Sequence, residues 1–160
     1  MEINYNKIYF IGIGGIGMSS IALFYLNHNK VIGGYDQTKS DLTLRLSNNG
    51  AQIHYESKVS NIPMEFKDNT NTLIVYTPAI SKDDVELNYF IENDYKIFKR
   101  SEVLGIISQN KFCIAIAGTH GKTTTSTILS HLLFENNVSF TSFVGGIPEN
   151  YNSNLIENGG

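Results

Sequence analysis

The residues best suited to chemistry form one short run, Gly118-Thr119-His120-Gly121-Lys122-Thr123-Thr124-Thr125. A glycine turn that follows an apolar run and closes on Gly-Lys-Thr is the arrangement that cradles nucleotide phosphates. Backbone N–H groups from Gly118 to Thr124 would face the anion, Lys122 would reach the terminal phosphates, and the Thr123 hydroxyl would ligate Mg²⁺. ATP and Mg²⁺ are therefore the expected cofactors. The full spacing G-x-x-x-x-G-K-[ST] asks for glycine where Ile116 stands, so this is a variant whose turn begins at Gly118. Consecutive threonines are poor helix formers, and local propensity does not account for them. His120 either shapes the loop or touches phosphate; its position alone leaves both open.

A second glycine turn lies near the start. Gly12-Ile13-Gly14-Gly15-Ile16-Gly17 contains G-x-G-x-x-G between an apolar run and a helical pattern. Gly12 would make the tight turn, Gly14 would let a phosphate approach the backbone, and Gly17 would let helix and strand pack closely. The N–H groups that open the helix would point at the anion. Asp36 ends the next apolar run, where dinucleotide enzymes place the acid that holds a ribose hydroxyl. An NAD-dependent oxidoreductase is thus one reading of this turn.

The elements that must carry these turns alternate strand and helix. Strands are expected at 7–13, 31–35, 51–55, 72–76, 96–98, 111–117 and 139–144. Helices are expected at 16–27, at 41–48 behind a Ser40 cap with Leu42, Leu44 and Leu46 inside, at 83–93 capped by Ser81, at 101–108 and at 121–135. Residues 61–71 read as a polar loop around Pro63 with room for a turn of helix, and the chain beyond Gly145 as loop. The order implies an α/β fold with a parallel, doubly wound sheet: a Rossmann-like domain over residues 1–109, then the start of a P-loop α/β domain over 110–160.

Composition narrows the function. The net charge of −3, from 12 basic and 15 acidic residues, disfavours a nucleic-acid grip. No apolar run approaches a membrane span and no signal peptide is evident, so no membrane partner is expected and the cytoplasm is the expected location. The single cysteine, Cys113, excludes an intrachain disulfide and reads as a small buried residue of a strand. His28, His54 and His131 stand at spacings that suit no metal, and read as ordinary surface or packing residues.

Both turns in one chain, in this order, narrow the field further: one would hold a nucleotide-linked substrate, the other the ATP that activates it. The sequence resembles the start of a Mur ligase, the ATP-dependent amide-forming family of peptidoglycan synthesis. Gly12-Ile13-Gly14-Gly15-Ile16-Gly17-Met18 resembles the UDP-binding turn of the alanine-adding member, Thr77-Pro78-Ala79-Ile80-Ser81 its loop after the fourth strand, and Gly118–Thr125 its ATP loop. The resemblance spans essentially the whole chain. His120 is shared with the related ligase that recycles murein tripeptide, whereas the Gly14–Met18 turn favours the alanine-adding branch.

The resemblance implies that Gly14, Gly15, Ile16, Gly17 and Met18 approach the UDP diphosphate, that Asp36 lies near the uridine, and that Ala79 and Ser81 border the uracil. It implies Lys122 and Thr123 as the groups serving ATP and Mg²⁺, with UDP-N-acetylmuramate and L-alanine as substrates. In the family ATP phosphorylates the muramoyl carboxylate, and the alanine amine displaces phosphate from the acyl phosphate. The alanine-adding member often carries histidine near position 57, where this chain has Ser57. The family's later acidic Mg²⁺ ligands and its amino-acid-receiving domain have no counterpart within 160 residues, so the chain alone is expected to be inactive. A nucleotide-binding module without catalysis is the remaining alternative.

Overall fold

The protein is described by a computed structural model covering residues 5–159. It divides into two compact units, Met1–Asn110 and Lys111–Gly160.

The first unit is a five-stranded, wholly parallel sheet. Its strands are β1 (Lys7–Ile11), β2 (Val31–Tyr35), β3 (Gln52–His54), β4 (Thr72–Tyr76) and β5 (Lys96–Lys99), in the order β3-β2-β1-β4-β5. The order reverses between β1 and β4, and in such sheets that switch point, at the carboxyl ends of the strands, is where ligands are received. The central strands are buried on both faces and accordingly read KIYFI and TLIVY, without polar alternation.

Four helices serve this sheet: α1 (Ile16–Asn27), α2 (Asp41–Asn48), α3 (Val85–Glu92) and α4 (Arg100–Ser108). Side chains alternate along β1, so Tyr9 and Ile11 share one face. They join Tyr35, Ile74, Leu87, Phe90 and Tyr95 in a single buried cluster beneath α3. The segment expected as polar loop contributes to the same cluster. Within it Met64–Phe66 forms the short helical turn that the sequence allows, a 3₁₀ turn that follows another at Val59–Asn61, and Ile62 and Phe66 are buried. Phe66 fits because β2 carries Gly33 opposite it; a Cβ there would stand 2.5 Å from the ring.

Caps set the helix starts. Ser40 and Thr43 form a reciprocal capping box at α2, each side chain accepting the other's backbone N–H, at 3.3 Å to Ser40 Oγ and 2.9 Å to Thr43 Oγ1. Leu42, Leu44 and Leu46 do not share a face, because residues two apart on a helix diverge. Leu46 is buried, whereas Leu44 is exposed and Thr43 takes the inner position. At α3 the cap is Asp84, whose Oδ1 accepts the N–H groups of Glu86 and Leu87 at 3.1 and 3.0 Å. Ser81 instead accepts the Asp83 N–H within the preceding turn. A carboxylate at the cap also complements the helix dipole, which a hydroxyl does less well.

The second unit comprises α5 (Lys122–Glu135) and an antiparallel pair, β6 (Phe140–Phe143) with β7 (Leu155–Asn158). β7 lies in the stretch expected as loop. The stretch 111–117, expected as a buried strand, is irregular and exposed, with Phe112 95% accessible and Cys113 open to solvent. A strand exists only beside a partner that takes its backbone hydrogen bonds, and the described residues of this unit place none beside that run. No described helix is long and apolar enough to cross a membrane.

Candidate functional site

Two turns carry the candidate chemistry, one in each unit. The first leaves β1 at the switch point. Gly12 has φ of +83°, and its N–H and that of Ile13 both donate to the Tyr35 carbonyl, at 2.8 and 3.1 Å. A side chain at Gly12 would be strained by that φ and would also press on Thr77 and Ile80, each 3.1 Å from its Cβ. The Thr77–Ser81 loop after β4 therefore lies against the first turn. Ile80 is packed into the α3-side core, while Ala79 and Ser81 stay exposed.

Gly14 is already engaged. Its N–H donates to Asp36 Oδ2 at 2.7 Å, and Asp36 Oδ1 takes the Thr38 N–H at 2.9 Å. A Cβ on Gly14 would stand 2.8 Å from that carboxylate oxygen and 2.9 Å from Thr43 Cγ2. The space that glycine leaves here is thus filled by the Asp36 carboxylate. Sequence spacing assigned Gly17 to helix–strand packing; in the structure it faces the Arg100 side chain, with a guanidinium nitrogen 2.6 Å from where its Cβ would be. Gly15 and Ile16 are exposed. Met18 is 1% exposed, so only its backbone belongs to the turn, and its N–H donates to the Gly15 carbonyl at 2.9 Å.

Arg100 was not legible as part of this turn. It opens α4, is exposed, and among the described residues no hydrogen bond or ion pair holds it. A cation beside the first turn of a helix is repelled by the helix dipole unless an anion joins it. Arg100 and the opening of α1 together are suited to a diphosphate.

Behind Asp36 lies a polar network that sequence reading also missed. The Asp36 N–H donates to the His54 carbonyl at 3.2 Å, and the His54 ring stacks on Tyr35 at 5.7 Å. His54 Nε2 and Glu86 Oε2 both lie 2.6 Å from the Tyr9 hydroxyl, and Glu86 Oε1 accepts the Lys58 N–H at 3.0 Å. His54 Nδ1 sits 3.0 Å from the Glu56 carbonyl, so this nitrogen carries a proton. Burial pushes the Glu86 carboxyl up to about 7 and draws the His54 imidazole below its usual value. The Tyr9 hydroxyl donates to Glu86 Oε2 when that carboxylate is ionised. Both shifts favour the neutral arrangement, in which the bond reverses, Glu86 donating to Tyr9 and Tyr9 to His54 Nε2. Ser57 ties the same region to α3, its hydroxyl donating to Asp84 Oδ2 at 2.9 Å.

The second turn opens α5. Gly118 and Gly121 have φ of +148° and +75°, conformations that favour glycine, and Gly121 caps the helix with no side chain over its N-terminus. Lys122 folds back across the loop, its Nζ donating to the Gly118 and Thr119 carbonyls at 2.5 and 3.1 Å. His120, Thr123 and Thr124 are exposed. Thr123 and Thr124, with Thr127 and Ile128, form one wall of a cleft of about 610 Å³ whose other wall is Ile147, Pro148, Glu149 and Asn150. Uncapped helix N–H groups, left-handed glycines and a lysine on the loop are what a phosphate-binding loop requires. No group of three or more His, Cys, Asp or Glu suited to a metal occurs among the described residues.

Comparison with known proteins bears on the family and the fold. The family model for the Mur ligase family, catalytic domain, matches residues 7–112. UDP-N-acetylmuramate–L-alanine ligases from Flavobacterium psychrophilum and Cytophaga hutchinsonii are 52% and 46% identical over 154 and 151 residues, or 96% and 94% of the chain. The chain spans about a third of their length, 34% and 32% respectively. Among solved structures, the UDP-N-acetylmuramate–alanine ligase of Thermotoga maritima superposes with a TM-score of 0.84 at 29% identity, covering 95% of this chain and 35% of that one. A UDP-N-acetylmuramate:L-alanyl-gamma-D-glutamyl-meso-diaminopimelate ligase from Neisseria meningitides shares the fold, with a TM-score of 0.83 at 22% identity, over 94% of this chain and 46% of its own. The parallel sheet, the two glycine turns and this likeness along nearly the whole chain have one meaning: the chain belongs to the Mur ligase family.

Proposed function

We propose that this chain supplies the UDP-sugar-binding unit (1–109) and the opening of the ATP-binding unit (110–160) of a ligase that joins L-alanine to UDP-N-acetylmuramate in peptidoglycan synthesis. The observation that carries the reading is the pair of glycine turns, one at the switch point of a parallel sheet and one bearing Lys122 at a helix start. The names of the relatives with 46–52% identity support the choice of substrates.

In the first unit, Gly14 to Met18 and Arg100 hold the diphosphate, while Asp36, Ala79 and Ser81 border the uridine. In the second, the loop from Gly118 to Thr124 receives ATP, which supplies the phosphoryl group that makes the muramoyl carboxylate an acyl phosphate. Lys122 exchanges its two loop carbonyls for phosphate oxygens. It then neutralises charge on the leaving diphosphate, the kind of preorganised electrostatic contribution on which phosphoryl transfer depends. The Thr123 hydroxyl offers one oxygen to Mg²⁺; His120 lines the loop.

Calorimetry with UDP-N-acetylmuramate and with NAD tests the first unit: heat of binding is expected for the former only, and NAD binding without a UDP-sugar response would favour the oxidoreductase reading. For the second, Lys122→Ala should weaken ATP binding by roughly tenfold to a hundredfold, since a charge-assisted hydrogen bond contributes about 1.5–3 kcal/mol. A folded variant with native ATP affinity would assign Lys122 to solvent.

A further inference from the structure

The second unit brings a third glycine pair against the first residues of α5. Gly145 and Gly146 follow β6 and both face Thr123. A Cβ built on Gly146 would stand 2.9 Å from Thr123 Cγ2, and one on Gly145 would stand 3.4 Å from Thr123 Oγ1. Neither glycine is among those with positive φ, so any residue could adopt these backbone conformations. What position 146 demands is room. The atom it makes room for is a methyl one bond beyond Cβ on a β-branched side chain, which can leave only by turning the whole side chain, hydroxyl included, to another χ1 rotamer.

The consequence follows from tetrahedral geometry. Methyl and hydroxyl share one carbon, so where the methyl is seated determines where the hydroxyl points. We propose that Gly146 is a positioning residue for the nucleotide loop: its bare α-carbon seats the Thr123 methyl and thereby fixes the rotamer that presents the Thr123 hydroxyl. A Cβ on Gly145 would reach only ordinary van der Waals contact with that hydroxyl, and the chain continues from Gly146 into Ile147–Asn150, which line the same cleft as Thr123. The seat also gives threonine a purpose that serine could not serve, since serine has no methyl to hold. This inference rests on the reading of Gly118–Thr125 as the loop for ATP and Mg²⁺.

The test is a two-by-two set in the full-length gene product: native, Gly146→Ala, Thr123→Ser and the double variant. Affinity for a fluorescent ATP analogue is measured with Mg²⁺ and with EDTA. Gly146→Ala should lower the Mg²⁺-supported affinity roughly tenfold, the scale seen when the support of a metal ligand is removed. It should leave the metal-free affinity within about twofold. In the Thr123→Ser background, where the methyl is gone and the hydroxyl remains, the same substitution should cost less than about twofold. If Gly146→Ala proves unstable, adding Thr123→Ser must restore folding, and Mg²⁺-supported binding to the level of Thr123→Ser alone.

Equal losses in both backgrounds, equal losses with and without Mg²⁺, or no rescue by serine would each overturn the positioning role. Native affinity in Gly146→Ala, beside a clear loss in Lys122→Ala, would overturn it while leaving the ATP loop intact. Failure of the native protein to bind the nucleotide at all would overturn the reading of the loop and this inference with it.

Discussion

Glu86 offers the most direct check of the polar network behind Asp36. The side chain is fully buried, lies 2.6 Å from the Tyr9 hydroxyl and takes the Lys58 N–H. With its carboxyl pushed up to about 7 by burial, the folded protein keeps a proton that the unfolded chain releases near its ordinary value of 4.5. Between those values the native state binds more protons than the unfolded state, so stability must fall as pH rises from about 4.5 to 7. The full shift corresponds to no more than about 3 kcal/mol. His54 acts in the opposite sense: its imidazole is lowered, so below about 6.5 the unfolded chain binds the extra proton and stability rises with pH. The net fall is therefore smaller than the Glu86 contribution alone. Glu86→Gln keeps the shape of the protonated acid, with an N–H to donate to Tyr9 and an oxygen to accept from Lys58, but cannot ionise. Urea unfolding of native and variant proteins, followed by circular dichroism from pH 5 to 8, isolates Glu86 because titrations not coupled to it cancel in the difference. The variant should match the native protein at pH 5, within about 0.5 kcal/mol, and exceed it by about 2–3 kcal/mol at pH 8. A difference independent of pH would refute the buried, protonated Glu86.

Two further substitutions probe the first turn. Gly14→Val should abolish UDP-sugar binding in calorimetry, because its Cβ would occupy the place of the Asp36 carboxylate and Thr43 methyl and break the Gly14 N–H bond to Asp36, worth about 1.5–3 kcal/mol; retained affinity would remove this pair from the site. Arg100→Ala should lower UDP-sugar affinity about tenfold while leaving thermal stability equal or slightly higher, since it relieves a cation at the opening of α1. Lowered stability with unchanged affinity would make Arg100 a packing residue.

How much of this was legible in the sequence depends on the range of the forces involved. α1 and α2, with β2 and β4, begin and end where periodicity and caps place them, because those signals are local: apolar runs closed by turn residues, and Ser40 three residues before Thr43. At α3 the cap is Asp84 and not the expected Ser81, because only backbone geometry decides which oxygen reaches the N–H groups of the first turn. Residues 111–117 show the opposite case. Their apolar, β-branched pattern states a preference, but pairing is a property of two segments, and the described structure gives this one no partner. β7 escaped notice for a related reason: Leu155–Asn158 is short and ends in polar residues, and it becomes a strand only because β6 lies alongside.

The glycine turns make the same point at the level of chemistry. A glycine motif reports where the backbone must lack a side chain, but not what occupies the space. At Gly14 that space holds Asp36, at Gly17 the guanidinium of Arg100, and at Gly146 the methyl of Thr123. Spacing rules assign the first two to phosphate approach and helix packing, whereas the third carries no motif at all. The occupants come from other elements, so they are visible only once the sheet has brought β1, β2 and α4 to one edge, and once β6 and α5 have packed. Each occupant is also polar or carries a polar group. A glycine that admits such a neighbour does more than relieve crowding: it sets where a carboxylate, a guanidinium or a hydroxyl stands. Identity at such glycines, and at Asp36, Arg100 and Thr123 together, should therefore track nucleotide binding more closely than identity in the buried apolar strands, which answer only to packing.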